Sequence, residues 1–390
     1  MPEALINPDP LILALLIGFG FCLLVQIMFY WVFFIRMAPG SPGLQMSSPD
    51  HPAEIPPAQQ SSPGVSVVIC AHNAQHHLEK TLQLFLGQDY PEYEVILVNH
   101  ASDDETGYML AGLTKPYPHL KVVDIREDLN FFTGKKFPLS IGIRSARYDI
   151  VLLTDADCRP TGNQWIRSMS RPFAGNTDIA LGYGPYERRP GILNRMIRFD
   201  TVQIAIHYLS FARAGIPYMG VGRNLAYRKS LFFREKGFIS HYRIPGGDDD
   251  LFINRVARKR NTAVCIDPDS FTWSEPKESL GKWITQKRRH FTTAARYRFH
   301  HKLLLGMYAG THLGFWALLA VLLILKFDWW IPVGAMLLHW ITQYVVLGRG
   351  MSRLRETDLI VFIPILQVCL LLLNTGIMVA NLVRKPRKWK

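Results

Sequence analysis

The chain has 390 residues, 48% of them hydrophobic, and a formal net charge of +13. That length holds two or three ordinary domains, or one soluble domain with membrane segments, and apolar runs at the two ends select the second. Zinc-finger, helix-turn-helix and RNA-recognition signatures are missing, which sets nucleic acid aside as a partner, and five scattered cysteines (Cys22, Cys70, Cys158, Cys265, Cys369) give no disulfide framework and suit a reducing cytoplasm.

The chain begins MPEALINPDP, acidic in balance, and continues into an uncharged apolar run over 11–35. About 25 residues at 1.5 Å each suffice to cross a hydrocarbon core of ~30 Å. The run is too long for a signal h-region and lacks a small-residue cleavage pattern, so 1–36 reads as tail plus retained anchor. Residues 37–63, rich in Pro and Ser, read as a flexible tether.

From 64 the pattern changes to short β-branched runs alternating with helical spacing. Strands are predicted at 65–71, 94–99, 121–125 and 149–154, with helices at 74–86 and within KKFPLSIGIRSARY. Runs of about six apolar residues between helices imply an α/β fold with a mostly parallel sheet covered on both faces. Ligands of such sheets bind beyond the carboxyl ends of the strands. That rule gathers Ala71-His72-Asn73, Asn99-His100 and Thr154-Asp155-Ala156-Asp157 along one edge. Further on, 193–215 carries an apolar stripe (Met196, Ile197, Ile204, Tyr208, Phe211) suited to core packing or to an acceptor groove, and LFINRVARKR after GGDDD has helical character.

Apolar runs at 303–326, 328–347 and 357–383 predict three more membrane segments, closed by a basic tail at 384–390. Lys/Arg clusters flank these runs, as positive-inside bias and anionic head groups require. Placing the first tail outside and the domain inside satisfies the rule for the first span. Counted onward, RKPRKWK falls outside, against the rule, unless the last run, which contains Pro364, is not a simple crossing.

Three constellations carry chemistry. In TDAD, Asp155 and Asp157 are two apart at a strand end, so their carboxylates face the same way and suit a hard divalent cation; the plainer alternative is a pair of turn aspartates. In GGDDDLF, Asp248, Asp249 and Asp250 straddle a predicted helix start, where one carboxylate caps free N–H groups. Side chains about 100° apart do not share one task. In QKRRH, Gln286 and Arg289 share a helix face, although Trp283, Ile284 and Phe291 between cations also fit a helix lying on a bilayer. The pairs His76–His77 and His300–His301 lack metal-ligand spacing and read as surface or interface residues, and Cys158 reads as a small buried side chain.

From VSVVICAHNAQHH through GKKFPLSIGIRSARYDIVLLTDAD to GVGRNLAYRKSLF, GGDDDLF and QKRRH, the ordered motifs over about 65–295 resemble the nucleotide-sugar domain of family 2 glycosyltransferases, which have the GT-A fold. The resemblance implies inverting transfer of a sugar from a nucleotide-sugar donor, with Asp155 near ribose and metal and Asp157 on a divalent cation, Mg2+ or Mn2+. It implies donor contacts at Ala71, Asn73, Asn99, Lys136 (or its neighbour Lys135), Gln286 and Arg289. The base is Asp248 in a register keyed on Leu251, and Asp249 in one keyed on the glycine pair. Two departures stand out: Asn99-His100 where many members carry two aspartates, and His290 where many carry Trp. The catalytic domain is expected over 64–300, cytoplasmic, on an integral protein of the cell membrane. Four spans are few for a polymer channel, so a lipid-linked or glycan acceptor is expected, with a processive polysaccharide synthase as the alternative and an inactive nucleotide-sugar-binding protein behind it.

Overall fold

In a computed structural model, described over residues 9–38, 62–126, 134–244 and 246–383, the chain divides into two units. One comprises Met1–Ser41 and Arg298–Asn374, the other Pro42–Tyr297 and Thr375–Lys390. Most of the expected tether and the basic tail lie outside the described residues.

Helix α1 (Pro10–Val32) is capped by Asp9, whose side chain accepts from the Leu11 N–H, and has Pro10 at its first position, where no backbone donor is lost. The remaining long apolar helices are α10 (Phe299–Ile324), α11 (Trp330–Arg353) and α12 (Ile363–Val383). With the turn at Thr357–Phe362 counted into the last, four helices among the described residues are long and apolar enough to cross a membrane. Polar side chains bind them internally: Gln26 donates to Tyr308 O at 2.9 Å and to Thr311 Oγ1 at 2.8 Å. Helix α11 runs six residues beyond the expected 347, so part of GRGMSRLRE is helical. Pro364 is the second residue of α12, where a proline starts a helix without kinking it. His301, expected at a surface or interface, is buried.

In the other unit, β1 (Val65–Ala71), β2 (Tyr93–His100), β3 (Leu120–Ile125) and β4 (Ile150–Asp155) are parallel and joined by crossover helices α2 (Gln75–Leu86), α3 (Thr106–Leu113) and α4 (Lys136–Ser145). Val65, Val67 and Ile69 pack with Leu78, Leu82 and Phe85 of α2 on one sheet face. On the other face a Cβ at Gly142 of α4 would lie 2.6 Å from Val68 and 2.9 Å from Val98, so glycine there is what lets α4 approach the sheet. Both faces are covered, which is why these strands lack polar alternation.

The second half of the unit was not legible as strands, because its strands have only three or four residues. After β5 (Cys158–Pro160) and α5 (Trp165–Ser170) come β6 (Ile179–Leu181), the long α6 (Ile192–Arg213), β7 (Leu225–Arg228) and α7 (Lys229–Arg234). Then follow α8 (Asp250–Val256), β8 (Thr262–Val264), β9 (Thr272–Ser274) and α9 (Leu280–His290). The seven-stranded order is β3-β2-β1-β4-β7-β6-β8, with β7 antiparallel to both neighbours, and β5 pairs with β9 in a separate ribbon. Of the α6 stripe, Ile197, Tyr208 and Phe211 are buried, Met196 is half-buried and Ile204 is exposed. Helix α8 stops at Val256, short of the expected ARKR continuation.

Candidate active site

Parallel register brings the expected residues to one edge. Ala71 pairs with Asn99, Asn99 with Asp124, and Cys70 with Asp155. Asn73 (φ +50°) and Ala101 (φ +45°) turn the chain out of β1 and β2 in left-handed backbone. These turns lock together, because Asn73 Oδ1 accepts from Asp103 N at 2.8 Å while Asn73 N donates to Ser102 Oγ at 3.0 Å. Asn73 is thereby occupied in shaping the loop, and Ala71, buried, has only backbone to offer. Asn99 differs: its Nδ2 donates to Asp124 Oδ1 at 2.8 Å, and its buried Oδ1 has no partner among the described residues. A carboxylate on the amide nitrogen fixes which way the carboxamide points.

Asp155 ends β4, and Asp157 follows in the tight link to β5. Their carboxylates and the Cys158 thiol lie within 4.8 Å of one another. Burial pushes the Asp155 carboxyl up, but the Lys135 ammonium paired with it wins and holds it below the usual range. Asp157 goes the other way, raised by burial and by the charge of Asp155. Two crowded oxygen ligands, one destabilised by the other, fit a hard divalent cation. Cys158 does not join them: burial and both carboxylates push its thiol to about 12, and Sγ lies 3.0 Å from Ser274 Oγ inside the ribbon.

The ammonium at this pair belongs to Lys135, not to Lys136. Lys136 is buried, and its Nζ donates to the carbonyls of His241 at 2.9 Å and Ile244 at 2.5 Å, with burial lowering it to about 8. It fastens the loop that leads to the acidic triplet. A further cation here, Arg223 of GVGRN, has no spacing in the sequence that ties it to the acidic pair. Its guanidinium lies 4.3 Å from the centre of the Tyr186 ring, donates to Ser274 Oγ at 3.2 Å, and lowers both Asp155 and Asp157.

The three adjacent aspartates separate by partner. Gly246 (φ +87°) and Gly247 (φ +83°) turn the chain into them in backbone that other residues rarely adopt. Asp249 caps α8: one oxygen accepts from Asp250 N at 2.7 Å and the other from Gly222 N at 2.8 Å. Asp250 accepts from Leu251 N at 2.7 Å, from Tyr297 OH at 2.8 Å and from Thr293 Oγ1, which fastens α8 to the segment after α9. Asp248, 8% exposed, has no hydrogen bond from another described residue to its carboxylate. Burial and the charge of Asp249 raise it to about 6, against the pull of Lys135. Asp249 is also held at about 6, by burial and by Asp250, despite its two N–H donors.

Helix α9 closes the site. Gln286 Nε2 donates to Tyr186 OH at 3.2 Å, and Lys287 Nζ makes a buried ion pair with Asp200 of α6 at 2.5 Å. Burial pushes the Arg289 guanidinium down, while Asp248, then Asp155 and Asp249, pull it back up. Trp283 is buried and Phe291 is 38% exposed, so the apolar side of this helix is only partly turned outward.

The family described as "Glycosyltransferase like family 2" matches residues 63–293, more than half of the chain. The chain is 34% identical over 241 residues to the Bacillus subtilis protein named "Probable glycosyltransferase YdaM", covering 58% of this chain and 54% of that one. It is 29% identical over 134 residues to a poly-beta-1,6-N-acetyl-D-glucosamine synthase of Staphylococcus epidermidis, covering 33% and 29%. Curated relatives are thus matched over less than two thirds of their own length. Among solved structures, the mannosyltransferase PcManGT of Pyrobaculum calidifontis, in complex with GDP-Man and Mn2+, has the same fold with a TM-score of 0.57 at 18% identity, covering 89% of this chain and 96% of that one.

Proposed function

This chain belongs to glycosyltransferase family 2, and from that premise we propose that it transfers a sugar, with inversion, from a nucleoside diphosphate sugar to a hydroxyl of a membrane-associated, lipid-linked acceptor. The observation that carries the reading is Asp248: a buried carboxylate left open for a proton, beside two aspartates already occupied. A base held near 6 is ionised at neutral pH and still basic enough to accept a proton.

In this reading Asp248 removes the acceptor hydroxyl proton as that oxygen bonds to the anomeric carbon. The bond from that carbon to the diphosphate oxygen breaks on the opposite face, and the electron pair leaves with the diphosphate. Arg289, Arg223 and Lys135 supply fixed positive charge where the negative charge develops. Asp155 and Asp157 would hold the divalent cation, Mg2+ or Mn2+, which supplies further neutralisation of the diphosphate when bound. The unpartnered Oδ1 of Asn99 would accept a ring N–H, which uracil, thymine and guanine present and cytosine does not. Residues 64–300 form the catalytic part on the cytoplasmic side, and the apolar helices anchor it.

A processive polysaccharide synthase is the second reading, favoured by the similarity to a poly-beta-1,6-N-acetyl-D-glucosamine synthase. One experiment addresses both. Full-length protein is incubated with Mn2+ or Mg2+, lipid extract and a panel of radiolabelled nucleotide sugars, with Asp157→Ala as control. Release of nucleoside diphosphate with label on a small lipid supports single transfer, and high-molecular-weight label supports the synthase. No release with any donor would sink both.

A further inference from the structure

Helical neighbours are turned by about 100°, so Gln286, Lys287, Arg288 and Arg289 point in four directions. Three of these directions are accounted for by Tyr186, Asp200 and the acidic cluster. The fourth leads to the C-terminal turns of α12, which belong to the same unit as α9. Arg288 Nε donates to Asn381 Oδ1 at 2.9 Å and Nη2 to Ala380 O at 3.4 Å, while Asn381 Nδ2 donates back to Arg288 O at 3.0 Å.

The returned bond falls where α9 needs one. Arg288 lies in the last turn, whose carbonyls lack intrahelical donors, and the Thr292 N–H goes to Arg289 O instead, at 3.1 Å. Asn381 is also the single polar residue in the closing stretch IMVANLV. It sits one turn after Ile377, which is 3% exposed, whereas Met378, Val379, Leu382 and Val383 are all at least 50% exposed. The covered face of this helix end therefore carries its one amide, and that amide caps the helix bearing Gln286 and Arg289.

We propose that Asn381 is a positioning residue for the transfer reaction: by clamping Arg288 it fixes the end of α9 and hence the reach of Arg289 toward the acidic cluster. The C-terminal end of α12 then serves the donor site. This rests on the reading of α9 as a donor-diphosphate helix, and the test separates the two.

Full-length protein in nanodiscs is titrated with UDP and GDP, and with UMP and GMP, in the presence of Mn2+. Asn381→Ala removes two of the three bonds without harming helix propensity. It is expected to weaken diphosphate binding about ten-fold, leaving monophosphate affinity and melting temperature as in wild type. Asn381→Asp keeps an acceptor for Arg288 Nε but loses the donor to Arg288 O, and is expected to weaken diphosphate binding less than Asn381→Ala does. Unchanged diphosphate affinity in Asn381→Ala, or an equal loss for mono- and diphosphates, would overturn the clamp. Arg289→Ala tests the underlying reading: if diphosphate affinity survives it, α9 is not a donor helix. If Arg289→Ala weakens binding and Asn381→Ala does not, only the clamp fails.

Discussion

Replacing Asp248 with Asn removes one ionisable proton acceptor and changes almost nothing in size. Burial and the neighbouring charge of Asp249 hold the Asp248 carboxyl at about 6, against 3.8 for an ordinary Asp. Because the folded value lies above the unfolded one, the ionised group destabilises the fold. The penalty is fully present above about pH 6, shrinks as pH falls toward 3.8, and is gone below that. Its full size is about 3 kcal/mol. Asp248→Asn is therefore expected to be more stable than wild type near neutral pH and equally stable below about pH 4. At the same time kcat should fall about 10²–10⁴-fold with little change in donor KM. Wild-type kcat/KM should decline on the acid side of about 6, and that limb should vanish from the residual activity of the variant. Nucleoside-diphosphate release measured across pH, beside thermal unfolding of the same samples, reads both quantities. Wild-type turnover in Asp248→Asn, or a loss of turnover accompanied by a loss of stability, would refute the assignment of the base.

Three other outcomes are expected. Asp249→Ala should unfold about 1 kcal/mol more easily than Asp249→Asn, because both lose the charge but only Asn keeps an acceptor for the helix cap; chemical denaturation reads the difference. CDP should compete for the donor site at least ten times more weakly than UDP or GDP, by roughly the value of one unmatched hydrogen bond, and Asn99→Leu should erase the preference. Equal competition by CDP in wild type would remove Asn99 from base recognition. Lys287→Met strands the buried carboxylate of Asp200 and should cost about 3–5 kcal/mol, whereas Lys287→Met with Asp200→Leu should recover most of it; two variants of equal stability would show that the ion pair is not what seats α9.

Local sequence is most informative where one short segment carries the whole signal. The strands through Asp155 were legible because a strand buried on both faces is an uninterrupted β-branched run, and α2 and α4 because their periods fit the connections between such strands. The strands from Cys158 onward were not, since three- or four-residue segments pair through partners more than forty residues away and have no period of their own. The exchange of Lys135 for Lys136 has the same origin. Adjacent residues at a helix start point apart, and only the positions of Asp155 and of the His241–Ile244 loop decide which ammonium meets which partner.

By itself the sequence determined the apolar helices, the parallel half of the sheet and the edge where its acidic residues gather, because these follow from hydrophobic period and strand polarity. Tertiary structure alone decided how three adjacent aspartates divide their work: Gly222 and the α8 N-terminus take Asp249, Thr293 and Tyr297 take Asp250, and Asp248 is left open. It alone brought Arg223 to the acidic pair and Asn381 to Arg288. The reason is physical. A carboxylate's basicity depends on who donates to it and what charge faces it, and those neighbours arrive from strands and helices that the chain brings together only when it folds.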